Sequence, residues 1–234
     1  GLCCGSLLAS RGKRVLICES HSKAGGVAHS FTRGGYKFES GPSLWNGLES
    51  ISNTSPLGQI LYLIGEKIEV KKYKGWKVLV PEAEFDLEVG DLPFRRKIQE
   101  LRGEEALIQW DSFLKAVRPL SRIIDKMPLL TTSPQNLNIQ EILSLSIKFL
   151  PDIKHAFKLR KGFGEIANKF LSDPFLNNWV DLLSFLISGM KMDDTNTAAM
   201  ATLFNEWFNP DAYLEYPLGG SESVVNALVR GFKK

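Results

Sequence analysis

An α/β fold joined to a mostly helical region is the architecture that this 234-residue sequence predicts, on three observations. The first is a helix, turn, strand and acid in succession from Gly1 to Glu19. The second is the glycine pair Gly25-Gly26, set between that acid and a short alternating strand. The third is a change of period after Glu104, where apolar residues recur at helical spacing.

The N-terminal elements follow from local chemistry. Residues Gly1 to Ser10 (GLCCGSLLAS) put Cys4, Leu7 and Leu8 at i, i+3 and i+4, and Gly12 stands where a helix C-terminal glycine belongs. Arg14 to Cys18 (RVLIC) is a short apolar run suited to a strand buried on both faces, and Glu19 ends it. That order matches the second half of a βαβ nucleotide-binding unit. In such a unit the small Gly1 and Gly5 let the helix lie close to the sheet. The free N–H groups and dipole of the helix favour a pyrophosphate. Glu19 can accept from two ribose hydroxyls. Gly1 precedes Glu19 by 18 residues, the place of the third glycine of a GxGxxG fingerprint. From this segment alone, a solvated acid at a strand end is the alternative for Glu19.

After Gly25-Gly26 come Ala28-His29-Ser30-Phe31, and then Tyr36 and Phe38 alternate with Lys37 and Glu39. That reads as a half-buried strand ended by Gly41-Pro42. A glycine pair after the ribose acid lets backbone pass close to a dinucleotide.

Composition narrows the class. Hydrophobic residues make up 44% and charged residues 24%, an ordinary globular balance with no low-complexity segment. Lys and Arg number 29 against 26 acids, with no block of five like charges, so no nucleic-acid footprint is indicated. Cys3, Cys4 and Cys18 form no disulfide framework and favour a reducing compartment. His21, His29 and His155 lack the company of other metal ligands, so no metal site is expected. No apolar run reaches the ~18–20 residues that span a bilayer; Asp181 to Met190 and Ile142 to Leu150 read as buried helices. The chain opens on Gly1 and closes on an amphipathic helix, so a piece of a longer protein is the expectation.

The middle of the chain reads as a second region. Glu69 to Tyr73 and Trp76 to Val80 are expected strands. From Glu104, Leu107, Trp110, Leu114 and Val117 mark a helix that Pro119 is expected to kink or end. Asn138 to Leu150, Gly164 to Leu171 and Pro174 to Met190 are further helices, the last capped by Asp173. Asp193 to Thr197 is a loop. Trp76, Trp110, Trp179 and Trp207 could line an apolar tunnel, although core is the plainer role for any one of them. Lys71-Lys72-Tyr73-Lys74 reads as a solvated loop rather than a headgroup contact, and Arg95-Arg96-Lys97 as solvated surface. Lys154 to Lys161 (KHAFKLRK) fits an amphipathic helix on a membrane surface as well as a solvated one. His29 is a weak candidate acid or base. Near the C-terminus, Glu215-Tyr216-Pro217-Leu218-Gly219-Gly220 is a strand and close turn before a helix that Ser221 would cap, with Glu222 in its first turn.

The run ESHSKAGGVAHSFTRGGYKFESGPSLWNGL resembles the N-terminal region of the phytoene desaturase and carotenoid isomerase family. So do DPFLNNWVDLLSFLISGMK at Asp173 to Lys191 and EYPLGGSESVVNALVRG at Glu215 to Gly231. The likeness is nearest to plant and algal carotenoid isomerase-like proteins and covers nearly the whole chain. It implies a glutathione-reductase-like, FAD/NAD(P)-binding Rossmann-like domain of the amine-oxidase superfamily, with a mostly helical substrate domain. It also implies noncovalent FAD, a polyene or lipid-like substrate, and peripheral membrane contact. Carried over by position, Gly1 matches the last fingerprint glycine, and Glu19, followed by Ser20, matches the ribose-binding acid. Gly25 and Gly26 match the pair along the FAD, with Ser30 beyond them, and Gly41, Pro42 and Ser43 match the turn toward the flavin. Val27 departs from the basic residue common after the glycine pair, which leaves phosphate neutralisation open. Catalytic residues are not assigned, and the C-terminal FAD motif would lie beyond Lys234.

The implied organisation is 1–68 partial FAD-binding domain, 69–214 substrate- or membrane-facing domain, and 215–234 the return to the first. The implied activity is that of an FAD-dependent oxidoreductase or isomerase acting on a carotenoid-like polyene, located in a plastid. Two alternatives stay open: a flavin amine oxidase with another substrate, or a non-catalytic prenyl-binding protein like the GDP-dissociation inhibitors.

Overall fold

The structure is a computed structural model that describes residues 1–42, 44–52, 55–126, 138–152, 155, 157–209 and 212–234. In chain order its main elements begin with α1 (Leu2–Ala9), β1 (Ser30–Arg33), β2 (Tyr36–Glu39), α2 (Pro56–Leu63) and β3 (Val70–Tyr73). Next come β4 (Gly75–Val80), β5 (Ala83–Glu88), α3 (Asp91–Asp125), α4 (Ile139–Phe149) and α5 (Gly164–Ala167). The last are α6 (Pro174–Ser188), α7 (Thr197–Trp207), β6 (Leu214–Pro217) and α8 (Ser221–Lys233). Two compact units result. One takes Gly1–Tyr73 with Tyr213–Lys234, and the other the described residues between Lys74 and Ala212.

The first unit is built around α8. Its apolar stripe, Val224, Ala227 and Leu228, meets Ile60, Leu61 and Ile64 around α2. Helix α1 lies on the same core, and the buried Ser6 Oγ donates to Leu228 O at 2.8 Å. β3 pairs antiparallel with β6, Val70 opposite Pro217. The strand expected from Glu69 to Tyr73 therefore sits in the first unit and not at the start of the second region, because its ladder partner comes from 214–217. Lys71 and Lys72 lie on that strand and not in a loop; Lys72 pairs with Glu49 at 3.2 Å.

Two expectations for this unit are corrected. Arg14 to Cys18 forms no strand: among the described residues no strand lies beside it, and a lone extended segment has no ladder to join. Only one side of it is covered, with Ile17 against α1 and Leu16 86% exposed. Tyr36 to Glu39 is a strand, but Tyr36 and Phe38 are both exposed rather than inward. β2 pairs only with β1, where Phe31 and Phe38 stack at 5.4 Å.

The second unit is held by aromatic residues. β4 and β5 form a hairpin, Val80 opposite Ala83, turning at Pro81-Glu82. The span of α3 is broken at Gly103 (φ 80°, ψ −171°), whereas helix continues through Pro119 to Asp125, where a kink or an end was expected. Both arms send side chains inward, Phe94 and Ile98 from one, Trp110, Phe113 and Val117 from the other. Phe94 stacks on Trp179 at 4.5 Å and meets Trp110 and Trp207 edge-on at 5.0 and 5.6 Å. Trp110, Trp179 and Trp207 are thus core residues. The arm bearing Arg95-Arg96-Lys97 was not expected as helix. Its apolar marks, Phe94, Ile98 and Leu101 at i, i+4 and i+7, are interrupted by that basic run. Arg95 is not merely solvated, since it forms a two-bond ion pair with Asp111.

Helix α6 starts as its sequence dictates: Asp173 accepts from the N–H groups of Phe175 and Leu176, and Gly189 (φ 73°) closes it. α5 is shorter than expected, ending at Ala167. α7 was not anticipated, although Asn196 caps it and Met200, Phe204 and Trp207 mark its buried face. Of the basic segment 154–161, Lys154 lies outside the described residues, and Phe157–Arg160 is a 3-10 turn and not an amphipathic α-helix.

Asp91 opens α3 with its carboxyl pushed up by burial, against the opposing charge of Arg95. A carboxyl raised in the folded state favours folding below its ordinary pKa and loses that contribution as pH rises through the folded value. Asp91→Asn is therefore expected to raise the melting temperature at neutral pH, with the gain vanishing as pH falls through the ordinary aspartate range. A gain that is constant from pH 3 to pH 8 would refute this.

Candidate functional site

The sequence-predicted residues Gly1 to Pro42 all lie in the first unit, where three turns meet the head of α8. α1 begins at Gly1 with no side-chain cap, leaving its first N–H groups to other acceptors. Close approach to the extended segment depends on Gly5 rather than on Gly1. A Cβ on Gly5 would meet Ile17 Cδ1 at 2.5 Å, and one on Gly1 would make only ordinary contact at 3.5 Å. The extended segment ends at Glu19, exposed, whose Oε1 accepts the His21 N–H at 2.9 Å. Its Oε2 has no partner among the described residues. Ser20 follows, also exposed.

The glycine pair divides its tasks. Gly25 (φ 96°) lies so close to α8 that a Cβ would meet Val225 Cγ2 at 2.5 Å. Gly26 (φ 58°) faces open space. His29 Nδ1 donates to Gly26 O at 2.7 Å while its Nε2 accepts from Ser40 Oγ at 3.0 Å, which the neutral ring satisfies at both nitrogens. His29 therefore ties two turns together. His21, on the Glu19 turn, sits 4.7 Å from His29 ring to ring, and Lys23 Nζ donates to Ser30 O at 2.8 Å. These contacts bring the Glu19 turn to the glycine pair. At Gly41 a Cβ would meet Val27 O at 2.3 Å, so the Gly41-Pro42 turn lies against the glycine-pair turn. Ser43 lies outside the described residues.

Glu39 joins these turns to α8. The buried Ser30 donates its hydroxyl to Glu39 Oε1 at 3.1 Å, and the Ser221 N–H donates to Glu39 Oε2 at 3.0 Å. Gly220 (φ 75°) leaves room for that carboxylate, since a Cβ there would lie 1.9 Å from Glu39 Oε1. Ser221 was expected to cap α8; instead Glu39 caps it from β2, and Ser221 Oγ donates to Pro42 O at 2.8 Å. Sequence reasoning missed Glu39 because alternation on β2 alone reads it as solvent-facing. Glu222 accepts from Lys37 at 2.8 Å, and that hydrogen bond and charge, with Lys23 beyond, hold its carboxyl below the usual range. Lys23 and Lys37 thus bring cations to the cluster, where Val27 offers none.

Chemically, the arrangement offers an exposed acid with a free oxygen, an uncapped helix start and an open glycine. Those features suit a dinucleotide with a ribose to bind and phosphates to place. Among the described residues no three metal-ligating side chains come together.

Comparison with known proteins bears directly on this cluster. Residues 1–56 match the NAD(P)-binding Rossmann-like domain, a span that contains the turns just described. Prolycopene isomerase 2, chloroplastic, of an Oncidium hybrid cultivar is 25% identical over 244 residues, covering 99% of this chain and 39% of that protein. The chloroplastic prolycopene isomerase of Arabidopsis thaliana is 23% identical, covering 99% of this chain and 38% of that protein. All-trans-retinol 13,14-reductase of Macaca fascicularis is 35% identical over 154 residues, covering 64% of this chain and 22% of that protein. The chain thus spans about two fifths of the length of the isomerases it matches. The resemblance to carotenoid isomerase-like proteins is borne out, as is a Rossmann-like α/β fold for the N-terminal region.

Glu39→Ala is expected to leave the Ser30 hydroxyl and the Ser221 N–H without their acceptor and to lower stability by about 1–3 kcal/mol. Glu39→Gln, which keeps one acceptor oxygen, should lose less. Urea unfolding of the three proteins reads this directly, and equal midpoints would remove Glu39 from its central place.

Proposed function

We propose that this chain, similar along its length to prolycopene isomerases, supplies flavin-binding and substrate-facing parts of an FAD-dependent oxidoreductase or isomerase acting on a carotenoid-like polyene. The observation that carries this reading is the alignment over 99% of the chain, which crosses both units. The retinol reductase likeness adds a second relative named for an extended polyene alcohol.

The residues present fit an FAD. Glu19, with Oε2 free among the described residues, accepts from the adenosine ribose hydroxyls. The uncapped start of α1 at Gly1 receives phosphate oxygens, and Gly26 lets the dinucleotide pass close to backbone. Ser20 and Ser43 flank the same turns in sequence. Gly25, Ser30, Gly41 and Pro42 act one step back: their close contacts and hydrogen bonds fix the turns and the head of α8. When bound, FAD supplies the redox chemistry, and the protein contributes position, dryness and charge.

The chloroplastic relatives support a plastid location. Peripheral membrane contact is the finer part of the proposal. Helix α4, whose stretch Ile142 to Leu150 was expected to be buried, instead exposes Ile139, Leu143 and Ile147 at i, i+4 and i+8, and Leu150 and Phe157 are exposed further along. Its 11 residues rise only about half the thickness of a bilayer core, so the helix would lie in the interface.

Glu19→Ala in the whole protein is expected to weaken FAD binding by about ten- to a hundredfold, through loss of charge-assisted hydrogen bonds of roughly 1.5–3 kcal/mol each. An unchanged dissociation constant would take Glu19 out of the site. Product analysis with carotenoid and retinoid polyenes tests the substrate class, and absence of turnover on every polyene would overturn it. Replacing Leu143 and Ile147 by Glu should weaken vesicle co-sedimentation more than tenfold, at ~1.5–3 kcal/mol per buried apolar side chain. Undiminished sedimentation would place attachment elsewhere.

A further inference from the structure

We infer a separate ligand site in the second unit, a pocket for a phosphate monoester carried on a short apolar tail. It encloses about 290 Å³, and all its lining residues belong to that unit. The floor is apolar, made of Ala116 from α3 with Ile166 and Phe170. The rim is basic, made of Lys158, Lys161 and Lys169, with Glu165 the single acid. Lys161 is matched to Glu165 at 2.7 Å. The ammonium groups of Lys158 and Lys169 have no partner among the described residues.

Two unmatched positive charges beside an apolar floor call for a ligand that is anionic at one end and apolar at the other. A phosphate monoester carries roughly −1.5 to −2 charges near neutral pH, which balances both ammonium groups. Lysine also serves phosphate well as a point charge that needs no planar partner. The pocket sits at the small end of ligand cavities, so it takes a headgroup and a few methylenes and not a whole long chain.

The backbone beneath the rim is fixed before any ligand arrives. Thr197 donates its N–H and its hydroxyl to Lys161 O at 2.9 and 2.8 Å. Phe163 N–H donates to Thr195 O at 2.8 Å, and Gly164 N–H to Met192 O at 2.9 Å. Gly164 itself lies where a Cβ would strike Asp193 Oδ1, at 1.7 Å. The loop before α7 thus clasps the segment between Lys161 and Gly164, so less ordering is left to be done on binding.

The test is calorimetric titration of the full chain with octyl phosphate below its micellar concentration, beside inorganic phosphate and vesicles containing phosphatidic acid. Each methylene seated on the floor should tighten binding about fourfold, so octyl phosphate should bind far more tightly than inorganic phosphate. Lys158→Gln with Lys169→Gln, both exposed, should weaken octyl phosphate by roughly fivefold per charge. Ala116→Leu should abolish the advantage of octyl over inorganic phosphate while leaving the rim charges in place. Lys77→Gln on β4 is the charge control and should change nothing. Binding to vesicles that octyl phosphate displaces identifies a lipid headgroup as the source; octyl phosphate binding without vesicle binding identifies a soluble ester. The proposal is overturned if inorganic phosphate binds as tightly as octyl phosphate, if the double variant binds like wild type, or if Lys77→Gln weakens binding equally.

Discussion

One carboxylate organises the first unit. Glu39 receives the Ser30 hydroxyl from its own hairpin and the first N–H of α8 from the far end of the chain. That bond sets where α8 begins, and with it where Val225 meets Gly25 and where Leu228 offers its carbonyl to Ser6. The glycine turns, the α1 helix and the core around α2 all take their positions from this helix. A carboxylate at a helix N-terminus is favoured by both the free N–H groups and the dipole. Here that preference joins residues 182 apart in sequence.

The parts that were legible in the sequence are those with local causes. Asp173 and Pro174 announce α6 because a cap and a first-turn proline act within one turn, and the cap bonds are present. The periodic run from Leu107 to Val117 announces the second arm of α3 in the same way. The parts that were not legible have distant causes. Arg14 to Cys18 has the composition of a buried strand, but strand identity depends on a neighbouring ladder, which no composition supplies. Glu39 looks solvent-facing by alternation, and its partner on α8 lies in a segment that local reading cannot bring beside it. The first arm of α3 was hidden by three consecutive basic residues set between the inward-pointing Phe94 and Ile98.

Glycine motifs illustrate the same division at the candidate site. A glycine read from sequence signals close approach without saying what approaches. At Gly25 it is Val225, at Gly41 the Val27 carbonyl, and at Gly220 the Glu39 carboxylate. Only Gly26 of these four leaves open space. Three glycines of the constellation therefore serve the scaffold, and in the proposed reading the ligand-facing task narrows to Gly26, Glu19 and the start of α1.

The discontinuity of the first unit has a consequence for synthesis. Its N-terminal share is complete at Tyr73, but β6 and α8 arrive only after Ala212. A ribosome adding about 5–20 residues per second needs roughly seven to thirty seconds to cross the intervening stretch. Throughout that interval β3 lacks its ladder partner, the core around α2 is uncovered and Glu39 has no helix to cap. The second unit, drawn from the described residues between Lys74 and Ala212, has all its described strands and helices emerged in the meantime. Within these residues the order of maturation thus runs opposite to the order of translation: the share before Tyr73 is made ahead of the second unit and closes after it.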